Sequence, residues 1–306
     1  YVTSRGRGAV LVLTGTALFG TIGTARVLGP DAAALPVAFA RMVLASGLMV
    51  AVATASAALA GLPRPGWHGA VRPLLRTPAV WVAGVGQACF QVSFLAAVTT
   101  VGVATGTLVA IGTTPLLTGL VATVRTRRPT GSWLAFTAVG VLGLYLLVGV
   151  GDAADPLGLL VALAASGSYA TFILAGARLT RLDQPIGTTL PVVFCIATLT
   201  LSPALVVSDW AWLPTGEGIA MLAWLATVPT VLAYALFNRG LGHVEAPVAA
   251  TLGLVEPLVA TVLAVVLLDE SLGWVQILGA LLIGSAVVAV VRVGPQVGPA
   301  VSTGAE

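Results

Sequence analysis

Apolar residues in this chain fall into ten long runs, at about 8–28, 33–60, 78–98, 101–124, 131–150, 156–178, 185–207, 217–239, 245–268 and 272–292. Each run is close to the roughly 20 residues a helix needs to cross the hydrocarbon core of a bilayer. Lipid offers no water to backbone N–H and C=O groups, so a crossing segment must satisfy them internally, and the runs are predicted to be helices. Polar stretches between them are short. The longest, 61–77, carries Pro63, Pro65, His68, Arg64, Arg72 and Arg76 and is predicted as a loop lying on the membrane surface. The expected fold class is all-α integral membrane, with ten transmembrane helices.

The runs divide into two sets of five that answer each other. Thr114-Pro115-Leu116 lies in the fourth run, and Glu256-Pro257-Leu258 lies 142 residues later in the ninth. At that offset Ala104 meets Ala246, Ala122 meets Ala264 and Gly131 meets Gly273. Identity between the halves is thin, so matched hydropathy carries the argument. Five is odd, so the second set enters the membrane with the opposite orientation. Two inverted five-helix repeats follow, 8–150 and 156–292, an arrangement typical of secondary transporters. Gly149–Pro156, with Asp152 and Asp155, connects them, and the Gly- and Pro-containing tail 293–306 is expected to be disordered and cytoplasmic.

Charge gives the orientation. All fourteen basic residues are arginine. With the N-terminus in the cytoplasm, all but Arg26 and Arg41 fall in cytoplasmic segments, which sets both termini there and the protein in the inner membrane. Asp31, Asp152, Asp155, Asp209, Glu217, Asp269 and Glu270 fall on the outer side. Trp81 and Trp133 at cytoplasmic helix starts, and Trp210, Trp212, Trp224 and Trp274 near outer ends, read as interfacial anchors; Trp224, lying deeper, is the one able to reach a cavity. The basic balance therefore marks membrane edges and no nucleic acid. At 58% hydrophobic and 8% charged, the chain leaves no stretch for a soluble domain. Arg5 and Arg7 before an apolar run also fit a signal peptide with a cleavage region at Ala32-Ala33-Ala34, but cleavage would leave nine runs and destroy the repeat. Cys89 and Cys195 read as small core residues.

A few polar residues interrupt the runs. Glu256 lies midway through the ninth, where a carboxyl is costly and belongs to a cavity, a partner or an ion pathway. It suits a proton carrier, or equally a neutral acid hydrogen-bonded between helices. Pro257 disfavours helix at the residue before it, so Glu256 is expected at a break. Arg41, in the outer part of the second run, can snorkel, pair with an acid, or hold a carboxylate or phosphate. Gln87 and Gln91 share a helix face, as do Tyr234 and Asn238. With Thr113, Thr114 and Tyr169 they can line one polar chamber or act as interhelical glue. Pro115, Pro229 and Pro257 fall near midspan and are predicted helix breaks. Gly102 and Gly106 form a small-xxx-small pair. Asp269-Glu270-Ser271 is expected to cap the last helix. There is no lysine for a phosphate-binding loop and no HExxH, His68 and His243 are far apart, and no paired catalytic groups stand out. No cofactor, metal site or enzymatic activity is expected.

The chain resembles the EamA-type family of the drug/metabolite transporter superfamily over about 8–292. The most specific piece is Leu254-Val-Glu-Pro-Leu-Val-Ala260, then Leu268-Asp-Glu-Ser-Leu272, then the helix with Gly279 and Gly284. Glu270 matches the family's acid before a leucine. Arg41 before Leu44-Ala45, and Pro115-Leu116, match its second and fourth helices. Arg127-Arg128-Pro129 departs from the acid the family places in the first half. The resemblance implies a basket of ten helices around a central cavity built mostly from helices 1, 3, 4, 6, 8 and 9. It also implies a small-molecule substrate within the lipid bilayer, such as an amino acid, another metabolite or a toxic organic molecule, often moved outward. The expected function is export of small amphiphilic metabolites such as amino acids by alternating access. A facilitator or antiporter for drug-like or sugar-linked solutes, and a non-transporting membrane scaffold or sensor, remain the alternatives. Oligomeric state is not legible.

Overall fold

Glycine and proline decide where the apolar runs bend. The computed structural model describes residues 4–59, 66–126, 131–148, 155–182, 186–269 and 271–293, and every regular element among them is helical. The first run is two helices, α1 (Ser4–Phe19) and α2 (Thr21–Val27). They are offset at Gly20, where a side chain would stand 2.7 Å from the Glu256 carbonyl oxygen. After α3 (Ala34–Leu59), part of the stretch expected as a loop is a helix, α4 (Gly66–Leu75). Val71 and Leu74 turn into the core while Arg72 and Arg76 stay exposed, so amphipathic spacing outweighed Pro73. Residues 60–65 lie outside the described residues.

The third and fourth runs form one helical stretch, α5 (Pro78–Gly112), before α6 (Thr114–Thr126). A straight helix would separate Gly86 from Thr113 by ~40 Å at 1.5 Å per residue. Yet a Cβ on Gly86 would lie 3.2 Å from the Ser168 carbonyl, and the Thr113 hydroxyl donates to Ser166 Oγ at 2.7 Å. These partners are two residues apart, so the stretch doubles back. A side chain at Gly158 would meet Thr100 and Val101, which places the turn there. Pro78–Val101 and Thr105–Val124 accordingly count as separate candidate spans.

The rest follows as α7 (Gly131–Val148), α8 (Pro156–Arg181), α9 (Ile186–Thr200), α10 (Ala204–Val207), α11 (Gly216–Ala226), a π-helical turn (Thr227–Leu232), α12 (Ala233–Leu241), α13 (Ala246–Leu252), α14 (Val255–Leu268) and α15 (Trp274–Val293). Asp155 caps α8, accepting from Leu157 and Gly158 backbone N–H groups at 3.4 and 3.2 Å. Among the described residues, eight segments are long and apolar enough to cross a membrane. At the fifth and seventh runs the apolar helices are shorter, Trp133–Val148 and Gly187–Thr200. The seventh run ends early because Ser202-Pro203 turns the chain before α10. The protein is an all-helical, multi-pass membrane protein.

Several anchors and caps differ from expectation. Trp133 is buried and donates its indole N–H to Thr251 Oγ1 at 3.2 Å. Trp212 is buried with Val37, Met221 and Leu225. Each ring found a packed helix face before it found the interface. Trp81 and Trp274 are exposed, as anchors are. Trp224 is also exposed, but its N–H reaches Thr21 Oγ1 at 3.3 Å. Cys89 is exposed and Cys195 half-buried, because both lie off the inward faces of α5 and α9. Asp269 ends α14 in a left-handed conformation (φ 55°), Gln276 Oε1 takes the Gly273 N–H at 2.7 Å at the start of α15, and Glu270 of the expected cap lies outside the described residues.

The bundle has a basic end, with Arg72, Arg76, Arg178, Arg181, Arg239 and Arg292, and an acidic end, with Asp31, Asp155, Asp209, Glu217 and Asp269. Packing differs between them. All seven residues of α13, on the basic side of the ninth run, are buried. In α14, on the acidic side, only Pro257 is. The ninth run is therefore packed more tightly on its basic side than on its acidic side.

Candidate functional site

The site is organised around Tyr234, and a proline places it there. Pro229 has no N–H to donate, so the regular ladder fails and the chain forms the π-helical turn Thr227–Leu232. Thr230 Oγ1 donates to the Leu225 carbonyl, five residues back, at 2.6 Å. The widened turn sends Tyr234 inward. Its ring meets Phe19 (centroids 4.7 Å apart), Phe194 (4.9 Å) and Phe172 (5.5 Å). Its hydroxyl accepts from Gln87 Nε2 at 2.8 Å.

Three further expected residues gather around this tyrosine. Gln91 is one helical turn from Gln87 on the same face of α5 and is buried. Tyr169 is buried and stacks on Phe90 at 4.6 Å. Arg41 is buried, within electrostatic range of both Tyr234 and Glu256. Glu256 is half-buried in the first turn of α14, directly after the break at Gly253-Leu254. It lies ~18 Å along α14 from the acidic end, near the middle of the bilayer. Tyr169 also lies within electrostatic range of Glu256. No direct ion pair joins Arg41 to Glu256, though each lies within electrostatic range of the other.

The structure separates two expected residues from this group. Thr114 is buried at the α5–α6 break, bonded to the Ala110 carbonyl at 2.7 Å and to Ser166 Oγ at 3.1 Å, and acts as a pin between helices. Asn238 donates to the Tyr234 carbonyl at 2.9 Å and lines a separate small cleft with Phe172, Gly176, Thr180 and Thr189 on the basic side. Sharing a helix face with Tyr234 put it one turn beyond the chamber. All three proline positions interrupt their helices: Pro115 sits at the start of α6, Pro229 in the π turn, and Pro257 at the start of α14.

Among the described residues, six buried side-chain nitrogen or oxygen atoms have no hydrogen-bond partner, and three of them belong to this group: Arg41 Nε, Gln87 Oε1 and Gln91 Nε2. Buried polar groups are almost always paired, so three unpaired atoms in one group stand out. The aromatic wall of Phe19, Phe90, Phe172 and Phe194 is what reading the sequence missed. Aromatic residues are only 6% of the chain, so four phenylalanines in the middles of runs were the available signal. Among the described residues, no cluster of histidine, cysteine or carboxylates suits a metal ion.

Comparison with known proteins extends this picture. A family model described as the EamA-like transporter family matches residues 156–292. A protein of Bacillus subtilis (strain 168) named as the uncharacterized transporter YwfM is 33% identical over 290 residues, covering 91% of this chain and 94% of that protein. A solved crystal structure superposes with a TM-score of 0.76, at 20% identity, over 92% of this chain and 96% of its own; that likeness is one of fold.

Proposed function

The chain belongs to the EamA-like transporter family and is a membrane transporter, and from that premise we propose that it exports small amphiphilic metabolites, amino acids foremost, by alternating access. Its framework is ten spanning helices in two inverted repeats, 8–150 and 156–292, in the inner membrane with both termini in the cytoplasm. The arginine distribution supports the orientation. The breaks before Pro115 and Pro257, at matching places in the two halves, support the repeat.

The observation that carries the reading is the set of unpaired polar atoms within the bundle, Arg41 Nε, Gln87 Oε1 and Gln91 Nε2, with Glu256 within electrostatic range of Arg41. An amino acid answers each of them. Its carboxylate suits Arg41 and the Gln91 amide N–H, its ammonium suits Glu256 and the Gln87 carbonyl, and its side chain suits the phenylalanine wall. Glu256 alternatively carries the proton that drives the cycle. In this orientation the acidic end is the releasing side for an exporter. Rocking one half against the other, with a solute taken up in exchange, opens the basic end to reload.

The test is solute exchange in proteoliposomes with a panel of labelled amino acids, with and without a pH gradient, comparing the parent protein with Glu256→Gln. Saturable, pH-driven flux that disappears in the variant is expected. Unchanged flux and unchanged pH dependence in Glu256→Gln would remove that residue from the mechanism.

A further inference from the structure

We infer that Gln87 couples occupancy of the chamber to the closure of its basic side, an inference that rests on the transport reading above. The basic side is shut by rings: Tyr234 against Phe19, Phe172 and Phe194. Behind Phe172, the cleft lined by Asn238, Thr180 and Thr189 has a volume of about 20 Å³, room for one water and not for a solute.

Gln87 is bonded to the ring at the centre of that plug. It is fully buried. Its Nε2 holds the Tyr234 hydroxyl at 2.8 Å, while its Oε1 has no partner. An unpaired buried carbonyl oxygen is costly, and a seated solute relieves that cost only if it brings a hydrogen-bond donor. The chamber therefore favours solutes with an ammonium or N–H group over analogues without one. Such a solute also acts on the plug. The side-chain amide is one rigid plane, so an N–H that draws Oε1 toward itself swings Nε2 away from the Tyr234 hydroxyl. The ring that closes the basic side is then free to move. An empty chamber keeps the latch, and with it the closed side.

Two substitutions divide the roles. Gln87→Met removes both the acceptor and the latch at similar volume. Tyr234→Phe removes the latch alone, keeping the ring and the free Gln87 oxygen. Each is made in full-length protein with Cys89→Ser, Cys195→Ser and a Thr180→Cys reporter, and each is checked for monodispersity. Labelling of the reporter by an impermeant maleimide, added from the basic side of proteoliposomes, reports opening. Leucine and its amine-free analogue 4-methylpentanoate are the first solute pair, replaced by whichever panel amino acid moves fastest and its own deamino analogue.

In the reporter protein leucine raises labelling about threefold and is preferred over 4-methylpentanoate by about tenfold, the effect of one buried hydrogen bond. Gln87→Met loses both the preference and the response. Tyr234→Phe keeps the preference and loses the response. A folded Gln87→Met protein that retains the preference and the response overturns the inference, as does a Tyr234→Phe protein whose labelling still follows leucine. If the reporter protein itself moves no panel amino acid, the amino-acid reading falls and takes this inference with it; failure in the variants alone leaves the transport reading standing.

Discussion

Replacing Gly143 by valine tests a close backbone contact between two helices. α7 and α15 meet through glycine on both sides. A Cβ on Gly143 would stand 2.7 Å from the Gly279 carbonyl oxygen and 2.8 Å from the Ile283 nitrogen. A Cβ on Gly279 would stand 2.5 Å from the Leu147 nitrogen and 2.6 Å from the Gly143 carbonyl oxygen. The obstacles are backbone atoms, which cannot rotate away. Ordinary contact begins at 3.4 Å, so even one methyl group forces the helices apart by roughly 0.7 Å, and valine forces more. A gap of that size forfeits about a quarter to a half of the dispersion attraction along the seam. The expected cost is about 1–3 kcal/mol, the range for overpacking a close contact. Gly284 is the control: it lies on the same helix, and a Cβ there would meet nothing within 4 Å. Gly284→Val should stay within about 0.5 kcal/mol of the parent. Unfolding of detergent-solubilised protein by increasing SDS measures both. Equal destabilisation by the two substitutions would mean that helix propensity, not close approach, explains Gly143, and would refute the argument.

Three other outcomes follow from the site and its supports. Arg41→Leu should abolish transport of carboxylate-bearing solutes while leaving the fold as stable as the parent or up to about 3 kcal/mol more so, because a buried guanidinium whose Nε has no partner is replaced by an apolar side chain; flux and the SDS midpoint check the two halves of that statement. Trp133→Phe should cost about 1 kcal/mol through loss of the bond to Thr251. Thr251→Val should cost more, because Thr251 also bonds Thr137 and the Pro247 carbonyl, and the same unfolding assay ranks the pair. Pro229→Ala should restore an N–H to the eighth run, relax the π turn toward regular helix and rotate Tyr234 off Gln87; labelling of the Thr180→Cys reporter should then stop responding to solute although the protein is no less stable.

Much of the fold was legible because lipid imposes so simple a rule. Long apolar runs must be helices, and a mid-run proline must interrupt the ladder, so the spans and the breaks at Pro115, Pro229 and Pro257 could be read from residue order alone. The cost of a charge or an amide in hydrocarbon likewise marked Glu256, Arg41, Gln87 and Gln91. What hydropathy does not encode is rotation. A helix in lipid is apolar all round, so no stripe reports which face is inward. For that reason Trp133 and Trp212 read as anchors and are core. For the same reason Asn238 read as a chamber residue and lies in the cleft beyond the aromatic plug.

The linear chain by itself determined a multi-pass helical membrane protein with a few ionisable and amide groups at mid-depth, because burial cost and backbone satisfaction depend only on local composition. Tertiary structure alone decided that those groups converge on one hydroxyl. The reversal within α5 and the extra residue of the π turn bring Gln87 to Tyr234, 147 residues away in sequence, at 2.8 Å. Such a distance is set by how helices rotate and cross, and crossing is settled by close packing between segments the chain meets only after it has folded.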